Sequence, residues 1–268
     1  MSITNPGISL IVSTYNWPRA LELCLESISR QSVFPNEVII ADDGSGNETK
    51  TLVPKLQQTF PVPLIHVWQE DEGFQLSKIR NKAIARAENE YIIQIDGDLI
   101  LQKNFIEDHI AFIKPRSFVS GTRVQMSNTL SEQLLNGEQG EIKLMSRELT
   151  NHTNAMRVPL LRSFFANRYK RNDPTYVRGC NMAFWRSDLI AVNGYNESIT
   201  GWGREDSELA IRLINSGVNK RILKFGAVAF HIYHYEAKRA NLPANDAILT
   251  KSIDNRVKRC EHGISSYL

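Results

Sequence analysis

Residues 91–98 read YIIQIDGD, a β-branched apolar run that leads directly into two aspartates separated by one glycine. The run at 91–95 is typical of a buried strand. Residues two apart on an extended chain project to the same side, so the carboxylates of Asp96 and Asp98 can face one ligand. Gly97 between them leaves room for a phosphate to approach the backbone. A polar loop after a buried strand explains the same triplet, and both interpretations stay open at this point.

The sequence before this run alternates strand-like and helix-like segments. Three further β-branched runs predict strands at 8–12, 37–41 and 64–68. Apolar residues at helical spacing predict helices over 49–56 and 77–87, and Asn16 is expected to cap a helix with Pro18 in its first turn. This alternation indicates a mostly parallel sheet with helices on both faces. Ligands of such sheets bind at the carboxyl ends of the strands, where the acidic turns lie.

The second half of the chain has a weaker pattern. Polar residues dominate from Met126 to Glu141, which predicts a mobile loop or insertion there. Regular structure is expected again over 176–185. A helix is predicted over about 205–215, with Gly217 as the residue that stops it. Two short strands are expected around Ile222 and Val228. No repeat, linker or low-complexity tract interrupts the sequence, so we expect one domain over 1–268.

Length and composition restrict the class of protein. A chain of 268 residues with 42% hydrophobic and 23% charged residues is ordinary for a globular α/β protein and excludes disordered and collagen-like classes. Lysine and arginine total 32 against 29 acidic residues, a net charge of +3. Because this excess is small, we expect no nucleic acid partner.

Three cysteines without CxxC spacing, at Cys24, Cys180 and Cys260, indicate a reducing compartment and no disulfide framework. The first residues lack the basic stretch of a signal peptide, and no apolar stretch approaches the about 20 residues that span a membrane. We therefore expect a cytoplasmic protein.

A basic, aromatic-rich stretch at 156–171, MRVPLLRSFFANRYKR, contains five cationic residues and no acidic one. One interpretation is an amphipathic helix that covers the sheet and keeps its arginines in water. The other is a peripheral contact with anionic headgroups, or with a lipid-linked acceptor, on the cytoplasmic face of a membrane.

The acidic turns contain candidate ligands for a metal and a nucleotide. Two hard oxygen ligands at a strand end suit Mg²⁺ or Mn²⁺ bound to a diphosphate. Asp43 is either a turn residue or a carboxylate that accepts the N–H of a uracil ring. Ser13 and Tyr15 follow the first strand at the same predicted rim, and the tyrosine ring could stack on a base or simply pack.

Two later motifs carry further candidates. His231 and His234 end the last apolar run and could share a metal, which would favour Mn²⁺, although paired histidines are often packed or solvated. In GWGREDSEL, residues 201–209, Trp202 between glycines offers a flat platform for a sugar ring. Glu205 and Asp206 open a helix, where they either charge the helix start or supply an ionised general base.

Taken together, the motifs resemble an inverting family 2 glycosyltransferase with the GT-A fold. The resemblance covers roughly residues 8–235 and follows the order VSTYN, ADDGS, RNKAI, IDGD and GWGREDSEL. In the second half, RGCNMAFWR, NGYNE, GWGRED and HIYH resemble the subgroup shared by β-1,4-galactosyltransferases and chondroitin-polymerase catalytic domains. This implies an α/β, Rossmann-like, mostly parallel central sheet flanked by helices, a UDP-sugar donor, and Mn²⁺ or Mg²⁺.

The resemblance also implies roles for the nucleotide and metal ligands. The nucleoside would be held by Ser13, Tyr15 and Asp43. Asp96, beside Gly97, would contact the ribose or the diphosphate, and Asp98 would ligate the metal together with His234 and, as an additional ligand, His231. The candidates for a diphosphate contact are Gln75, Lys78 and Arg80.

For the transfer itself, the resemblance implies that Asp206 is the catalytic base and that Glu205 holds acceptor or donor hydroxyls. Trp202 and Gly203 would line the sugar pocket, and Asn181 would reach donor hydroxyls. The implied reaction is one in-line displacement, in which an α-linked donor gives a β-linked product.

We therefore expect a metal-dependent inverting enzyme that moves a hexose or N-acetylhexosamine from a UDP-sugar to a hydroxyl of a glycan or lipid-linked glycan acceptor. Its nucleotide-binding half would span 1–121, its acceptor and catalytic half 122–240, and a C-terminal helical segment 241–268. One alternative is a sugar-nucleotide-forming nucleotidyltransferase, whose Gly-rich phosphate loop is missing after the first strand. The other is a non-catalytic sugar-binding module, against which the intact acidic motifs argue.

Overall fold

The computed structural model describes residues 6–138, 142–144, 146–170, 172–235 and 238–268. In these ranges the strands are β1 (Ile8–Thr14), β2 (Glu37–Asp42), β3 (Leu64–Trp68), β4 (Tyr91–Asp96), β5 (Leu99–Leu101), β6 (Ser117–Ser120), β7 (Val124–Met126), β8 (Leu149–Thr150), β9 (Asn181–Trp185), β10 (Asn219–Ile222) and β11 (Ala229–His231). The α-helices are α1 (Pro18–Ile28), α2 (Asn47–Gln57), α3 (Leu76–Arg86), α4 (Phe105–Ile110), α5 (Asn128–Leu135), α6 (Pro159–Phe165), α7 (Arg186–Ala191), α8 (Glu205–Asn215) and α9 (Leu242–Asp254). Short 3-10 helices lie at His152–Asn154 and Ile264–Ser266.

The described strands form one large and one small sheet. The large sheet has seven strands in the order β10-β6-β9-β4-β1-β2-β3, and β9 alone runs antiparallel to its neighbours. This confirms the predicted mostly parallel central sheet. The small sheet has the order β5-β11-β7-β8. In the large sheet Ser13 lies opposite Asp96, so the acidic turn at 96–98 and the end of β1 meet at one edge of the sheet.

The core lies on both faces of the large sheet because strand residues alternate between the faces. Leu10 and Val12 of β1 pack in one cluster with Leu21 of α1, whereas Ile11 packs on the other face with Ile79 of α3. All five side chains are fully buried. Burial of a side chain of this size contributes about 1.5–3 kcal/mol each, which fixes the strand ends that carry the acidic turns.

The structure corrects the expected start of the first helix. α1 begins at Pro18, and Trp17 occupies the position before it without a side-chain cap. Asn16 instead adopts a positive φ of 47°, and its Oδ1 accepts a 2.8 Å hydrogen bond from the backbone N–H of Gly46. Its own N–H donates to Oγ of Ser45 at 2.8 Å. Asn16 therefore joins the loop after β1 to the loop after β2.

The mobile loop predicted between Met126 and Glu141 is wrong over most of its length. Ser127 caps α5, because its Oγ accepts the N–H of Leu130 at 3.1 Å. Leu134 of this helix packs into a third apolar cluster beneath the small sheet. The prediction at 139–141 lies outside the described residues.

The predicted amphipathic helix over 156–171 also differs from expectation. The helix observed there, α6, covers only Pro159–Phe165. None of its residues is buried, so it does not cover the sheet. Leu160 is 88% exposed. Arg171 lies outside the described residues. Among the helices that the structure describes, none is both long and apolar enough to cross a membrane.

Candidate active site

A cleft of about 1230 Å³ opens at the carboxyl ends of β1, β2 and β4 and at the start of α8. Thirteen residues predicted from the sequence line it: Ser13, Tyr15, Asp43, Arg80, Asp96, Gly97, Asp98, Trp202, Gly203, Glu205, Asp206, His231 and His234. The structure thus brings together acidic residues that are more than 160 positions apart in the chain.

Asp98 and two histidines form a compact cluster on one wall of this cleft. Oδ2 of Asp98 lies 3.4 Å from Nε2 of His231 and 3.2 Å from Nε2 of His234. The antiparallel pairing of β11 with β5, which sets His231 opposite Leu99, places the first histidine beside the aspartate. One ligand atom of each residue lies within 4.8 Å of the others. Among the described residues, the buried Oδ1 of Asp98 has no hydrogen-bond partner.

The hydrogen bonds of the two imidazoles distinguish their roles. Nδ1 of His234 lies 2.8 Å from the carbonyl oxygen of Tyr235, which can only accept, so Nδ1 carries the proton and a neutral ring has its lone pair on Nε2. When the Gln125 amide oxygen faces Arg123, the amide nitrogen donates to Nδ1 of His231 at 3.1 Å, which leaves the proton of a neutral His231 on Nε2.

The cluster fits a divalent cation. Two acceptors, Nε2 of neutral His234 and Oδ2 of Asp98, lie 3.2 Å apart, a contact that needs a cation or an added proton between them. The hydrogen bond to Asp98 raises the pKa of His234, whereas burial lowers the pKa of His231 to about 4. A mixed nitrogen and oxygen donor set of this kind suits Mn²⁺ or another transition metal.

Arg80 links the floor of the cleft to the start of α8. Its side chain is buried, and it donates to Oδ1 of Asp96 at 2.9 Å, to Oε1 of Glu205 at 3.3 Å and to Oγ of Ser13 at 3.3 Å. These three partners lie on β4, α8 and β1. Arg80 therefore fixes the relative position of the two acidic motifs.

The two carboxylates at the start of α8 have different environments. Asp206 accepts the backbone N–H of Gly179 on Oδ2 at 3.0 Å and that of Ser207 on Oδ1 at 2.6 Å. Burial, and then the neighbouring charge of Asp206, raise the pKa of Glu205 to about 7. Arg204, just before the helix, has a φ of 80°, which turns the chain sharply so that both carboxylates face the cleft.

Asp43 and Tyr15, which also line the cleft, lie near each other. Asp43 accepts the amide N–H of Gln69 on Oδ1 at 2.6 Å and the backbone N–H of Gln75 on Oδ2 at 2.8 Å. Burial raises the pKa of Asp43 to about 6. The ring of Tyr15 is half exposed, and its hydroxyl donates to Asp71 at 3.0 Å.

Three predicted site residues do not line the cleft. Asn181 is fully buried and donates to the carbonyl oxygen of Thr122 at 3.0 Å, so its amide supports the backbone instead of reaching donor hydroxyls. Lys78 pairs with Glu72 at 2.8 Å. Gln75 donates its backbone N–H to Asp43 at 2.8 Å.

Arg123, which the sequence did not single out, does line the cleft. Its guanidinium donates to Sγ of Cys180 at 3.5 Å. When the amide oxygen of Gln125 faces Arg123, Nε of Arg123 also donates to that oxygen at 2.8 Å. The nearby charges of Asp96 and Asp98 contribute to raising its pKa. A lone arginine just before the short strand β7 belongs to no motif, so no sequence signal pointed to it.

This combination of a mostly parallel sheet, an acidic turn with two histidines, and paired carboxylates at a helix start defines a GT-A glycosyltransferase. The sequence profile of glycosyl transferase family 2 matches residues 9–192, and the chain belongs to this family. A second profile, the N-terminal domain of galactosyltransferase, matches residues 159–236. The predicted enzyme class is thereby confirmed over a nucleotidyltransferase or a sugar-binding module.

Curated relatives include two bacterial chondroitin synthases. The Escherichia coli protein is 27% identical over 245 residues, which cover 84% of this chain and 34% of the relative. The protein of Pasteurella multocida (strain Pm70) is 29% identical over 247 residues, which cover 85% of this chain and 25% of the relative. The chain spans only about a quarter to a third of the length of these relatives.

Solved structures share the fold. A mannosyltransferase from Pyrobaculum calidifontis, in complex with GDP-Man and Mn²⁺, has a TM-score of 0.62 at 20% identity and matches 97% of this chain and 66% of its own. S. aureus TarS 1–349, in complex with UDP-GlcNAc, has a TM-score of 0.64 at 19% identity and matches 97% and 69%. These similarities confirm the predicted α/β GT-A fold.

Proposed function

We propose that this chain transfers a hexose or N-acetylhexosamine from a UDP-sugar to a hydroxyl of a glycan acceptor, with inversion at the anomeric carbon and with Mn²⁺ or Mg²⁺ as cofactor. The observation that carries the proposal is that one cleft contains both the Asp98–His231–His234 cluster and the carboxylate of Asp206. The donor class is supported by a structural neighbour that binds UDP-GlcNAc.

The nucleoside would occupy the end of the cleft formed by Asp43, Tyr15 and Ser13. The N–H of a uracil ring would donate to a carboxylate oxygen of Asp43, which Gln69 and the backbone of Gln75 already orient. The half-exposed ring of Tyr15 offers a face on which the base can stack. Both groups would be in place before the nucleotide arrives.

Asp98 and His234 would hold the metal, because the aspartate has a free buried oxygen and the neutral histidine has a free lone pair. Bound there, the cation would neutralise negative charge on the leaving diphosphate. His231 would orient Asp98 by donating a hydrogen bond from Nε2. Arg123, beside Asp96 and Asp98, offers a second positive charge for the diphosphate.

Asp206 would act as the general base. The acceptor hydroxyl attacks the anomeric carbon while its proton moves to a carboxylate oxygen of Asp206, and the bond from that carbon to the diphosphate oxygen breaks on the opposite side. The backbone N–H groups of Gly179 and Ser207 hold the carboxylate in one orientation. Glu205, fixed by Arg80, is placed to hydrogen-bond a sugar hydroxyl nearby.

A donor screen with a base variant tests the proposal. Wild type, Asp206→Asn and the exposed control Asp254→Asn are incubated with Mn²⁺, a panel of UDP-sugars and candidate glycan acceptors. UDP release and product mass are then recorded. Asp206→Asn should bind UDP like wild type but transfer about 10²–10⁴-fold more slowly, because proton transfer to a positioned base contributes a factor of that size. Asp254→Asn should match wild type.

Two results would contradict the proposal. Near wild-type transfer by Asp206→Asn would remove this residue as the base. A wild-type protein that binds no uridine nucleotide and releases no UDP from any donor would refute the donor class.

A further inference from the structure

Helix α6 and the residues just before it present exposed apolar side chains. They belong to Met156, Leu160, Leu161 and Phe164; we call these four residues the α6 surface. Leu160 is 88% exposed and Phe164 is 55% exposed. Exposed leucines and phenylalanines that are adjacent in the chain mark an interaction site more often than scattered ones do.

The helix is fixed by its polar side chains, so its apolar residues stay outside. Arg162 donates to the fully buried carboxylate of Asp108 at 2.6 Å, and Arg157 donates to the same carboxylate at 3.0 Å. The N–H of Val158 donates to the carbonyl oxygen of Phe225 at 2.9 Å. These bonds use the inward-facing cations of the stretch, and the four residues of the α6 surface stay between 40% and 88% exposed.

Three other cations accompany this surface and lie against aromatic rings. The guanidinium of Arg168 lies 4.5 Å from the Phe164 ring centroid, and the ammonium of Lys224 lies 4.6 Å from that of Tyr169. The ammonium of Lys170 lies 5.3 Å from the ring centroid of Tyr176. In the part of the chain that the structure describes, none of the three forms a salt bridge with a carboxylate. The sequence from 156 to 170 contains no acidic residue.

We propose that the α6 surface docks on an anionic lipid membrane. Exposed apolar side chains near arginine and lysine that form no salt bridge within the described ranges match the two layers of a membrane interface, because the former enter the acyl boundary while the latter meet lipid phosphates. A second copy of the chain is a poorer occupant. A symmetric dimer through this surface would bring two sets of like charges together, without an acidic complement.

The α6 surface is also connected to the cleft through the chain. The segment that leads into α6 begins at Thr150, which lines the cleft, and passes Asn154, whose amide donates to the carbonyl oxygen of Arg123 at 2.9 Å. Six positions of the chain therefore separate Thr150 in the cleft from Met156, the first residue of the α6 surface. A lipid-linked glycan is the acceptor form that this arrangement favours, an addition that rests on the proposed function.

The test is vesicle flotation of the whole chain. Vesicles of phosphatidylcholine alone are compared with vesicles of equal amounts of phosphatidylcholine and phosphatidylglycerol, at low and high salt. The variants are Leu160→Ser with Phe164→Ser, and Arg168→Gln with Lys170→Gln. The matched control is Val33→Ser with Phe34→Ser, an exposed apolar pair elsewhere. Transfer to a soluble acceptor and thermal unfolding are measured for every variant.

Wild type and the Val33/Phe34 control should float with the anionic vesicles and not with the neutral ones, and high salt should weaken binding. Loss of two cations should weaken binding about 25-fold, at about fivefold per charge, and loss of the two apolar side chains should weaken it at least about tenfold. Soluble transfer should not change, which separates this proposal from the proposed function. Absence of flotation, equal flotation of the Leu160/Phe164 variant, or a wild-type dimer that this variant dissociates would overturn membrane docking.

Discussion

Helix α9 holds the loop that carries Trp202 at two points: Asp246 accepts a 2.5 Å hydrogen bond from Nε of Arg204, and Asn245 supplies a buried contact. The amide nitrogen of Asn245 donates to the carbonyl oxygen of Thr200 at 3.0 Å and to that of Gly203 at 2.9 Å. These two carbonyls flank the tryptophan on either side. The substitution Asn245→Asp keeps the shape of the side chain and removes both donors, so it tests this clamp with little change in packing.

The cost of the substitution follows from the two contacts. Each hydrogen bond contributes about 1 kcal/mol, and each carbonyl that then faces a carboxylate in a buried site adds a desolvation cost of about 1–3 kcal/mol. Part of this cost is avoided when water enters, so we expect a total of about 2–5 kcal/mol. Much of it should appear as detachment of the loop, because Arg204, a non-glycine residue, has a positive φ of 80° that the surrounding contacts must hold.

Detachment of the loop should slow transfer without weakening nucleotide binding, since Asp43 and Asp98 lie on other elements. Each 1.4 kcal/mol is a factor of ten, so the transfer rate should fall about tenfold to a few hundredfold. UDP affinity, measured by calorimetry, should stay within about twofold. Initial rates at saturating donor, with thermal unfolding of the same samples, give the two quantities.

Asn241→Asp is the matched control, because Asn241 is exposed and donates to Thr200 at longer distances of 3.1 and 3.3 Å. Its transfer rate should fall by less than about threefold. If Asn245→Asp transferred as fast as this control and unfolded at the wild-type temperature, the clamp would not exist. If it lost UDP affinity and transfer equally, the effect would be general unfolding and not loss of the loop.

Two further predictions concern buried carboxylates. Glu208→Gln should lower the free energy of unfolding by about 3–5 kcal/mol in a denaturant titration, because it leaves the fully buried Arg212, 2.7 Å away, without its charge partner; the exposed control Glu88→Gln should change it by less than about 0.5 kcal/mol. The pKa of Asp43, which burial raises to about 6, predicts that uridine binds about tenfold more weakly at pH 5 than at pH 7, since the ionised carboxylate is the proposed acceptor of the uracil N–H. Because a raised pKa also means that the folded state binds the proton more tightly, Asp43 should stabilise the unliganded protein as the pH falls from 6 towards 4, opposite to its effect on binding. A flat pH profile of uridine affinity, or the same profile in Asp43→Asn, would contradict the assigned role.

The strands and their acidic ends could be predicted because local pattern and tertiary position agree there. The run at 64–68 is a strand with those bounds, and α8 begins and ends at the predicted residues, Glu205 and Asn215. Asn16 was misassigned because its preference for a cap competes with its ability to adopt a positive φ, and a contact 30 residues away decided between them. α5 was missed because polar composition hid a capped helix with a single buried leucine at position 134.

The site was predictable to the extent that its residues belong to contiguous motifs. Asp98 and Asp206 can be identified from the motifs around them in the sequence. Arg123 can be identified only from its position in the folded cleft, beside the small sheet. Asn181 is the opposite case, because it was predicted as a site residue but does not line the cleft. It follows a Gly-Cys turn near the cleft, but strand alternation turns its side chain inward, where His109 and Thr122 bind it. A one-residue difference in strand register decides such a case, and sequence alone did not fix that register.

Arg80 explains why these scattered motifs produce one rigid site. A fully buried guanidinium is stable only when anionic and polar partners surround it, and here Asp96, Glu205 and Ser13 each come from a different element. Removal of Asp96 or Glu205 would take one of two carboxylates from a buried guanidinium, and removal of Ser13 would leave a buried N–H without its acceptor, so the three elements are held at the spacing that Arg80 can span. The ends of β1 and β4 and the start of α8 are thereby fixed to one another. In the proposed mechanism, donor and base would then need only small adjustments to reach a reactive geometry, which is the condition under which positioning contributes most to rate.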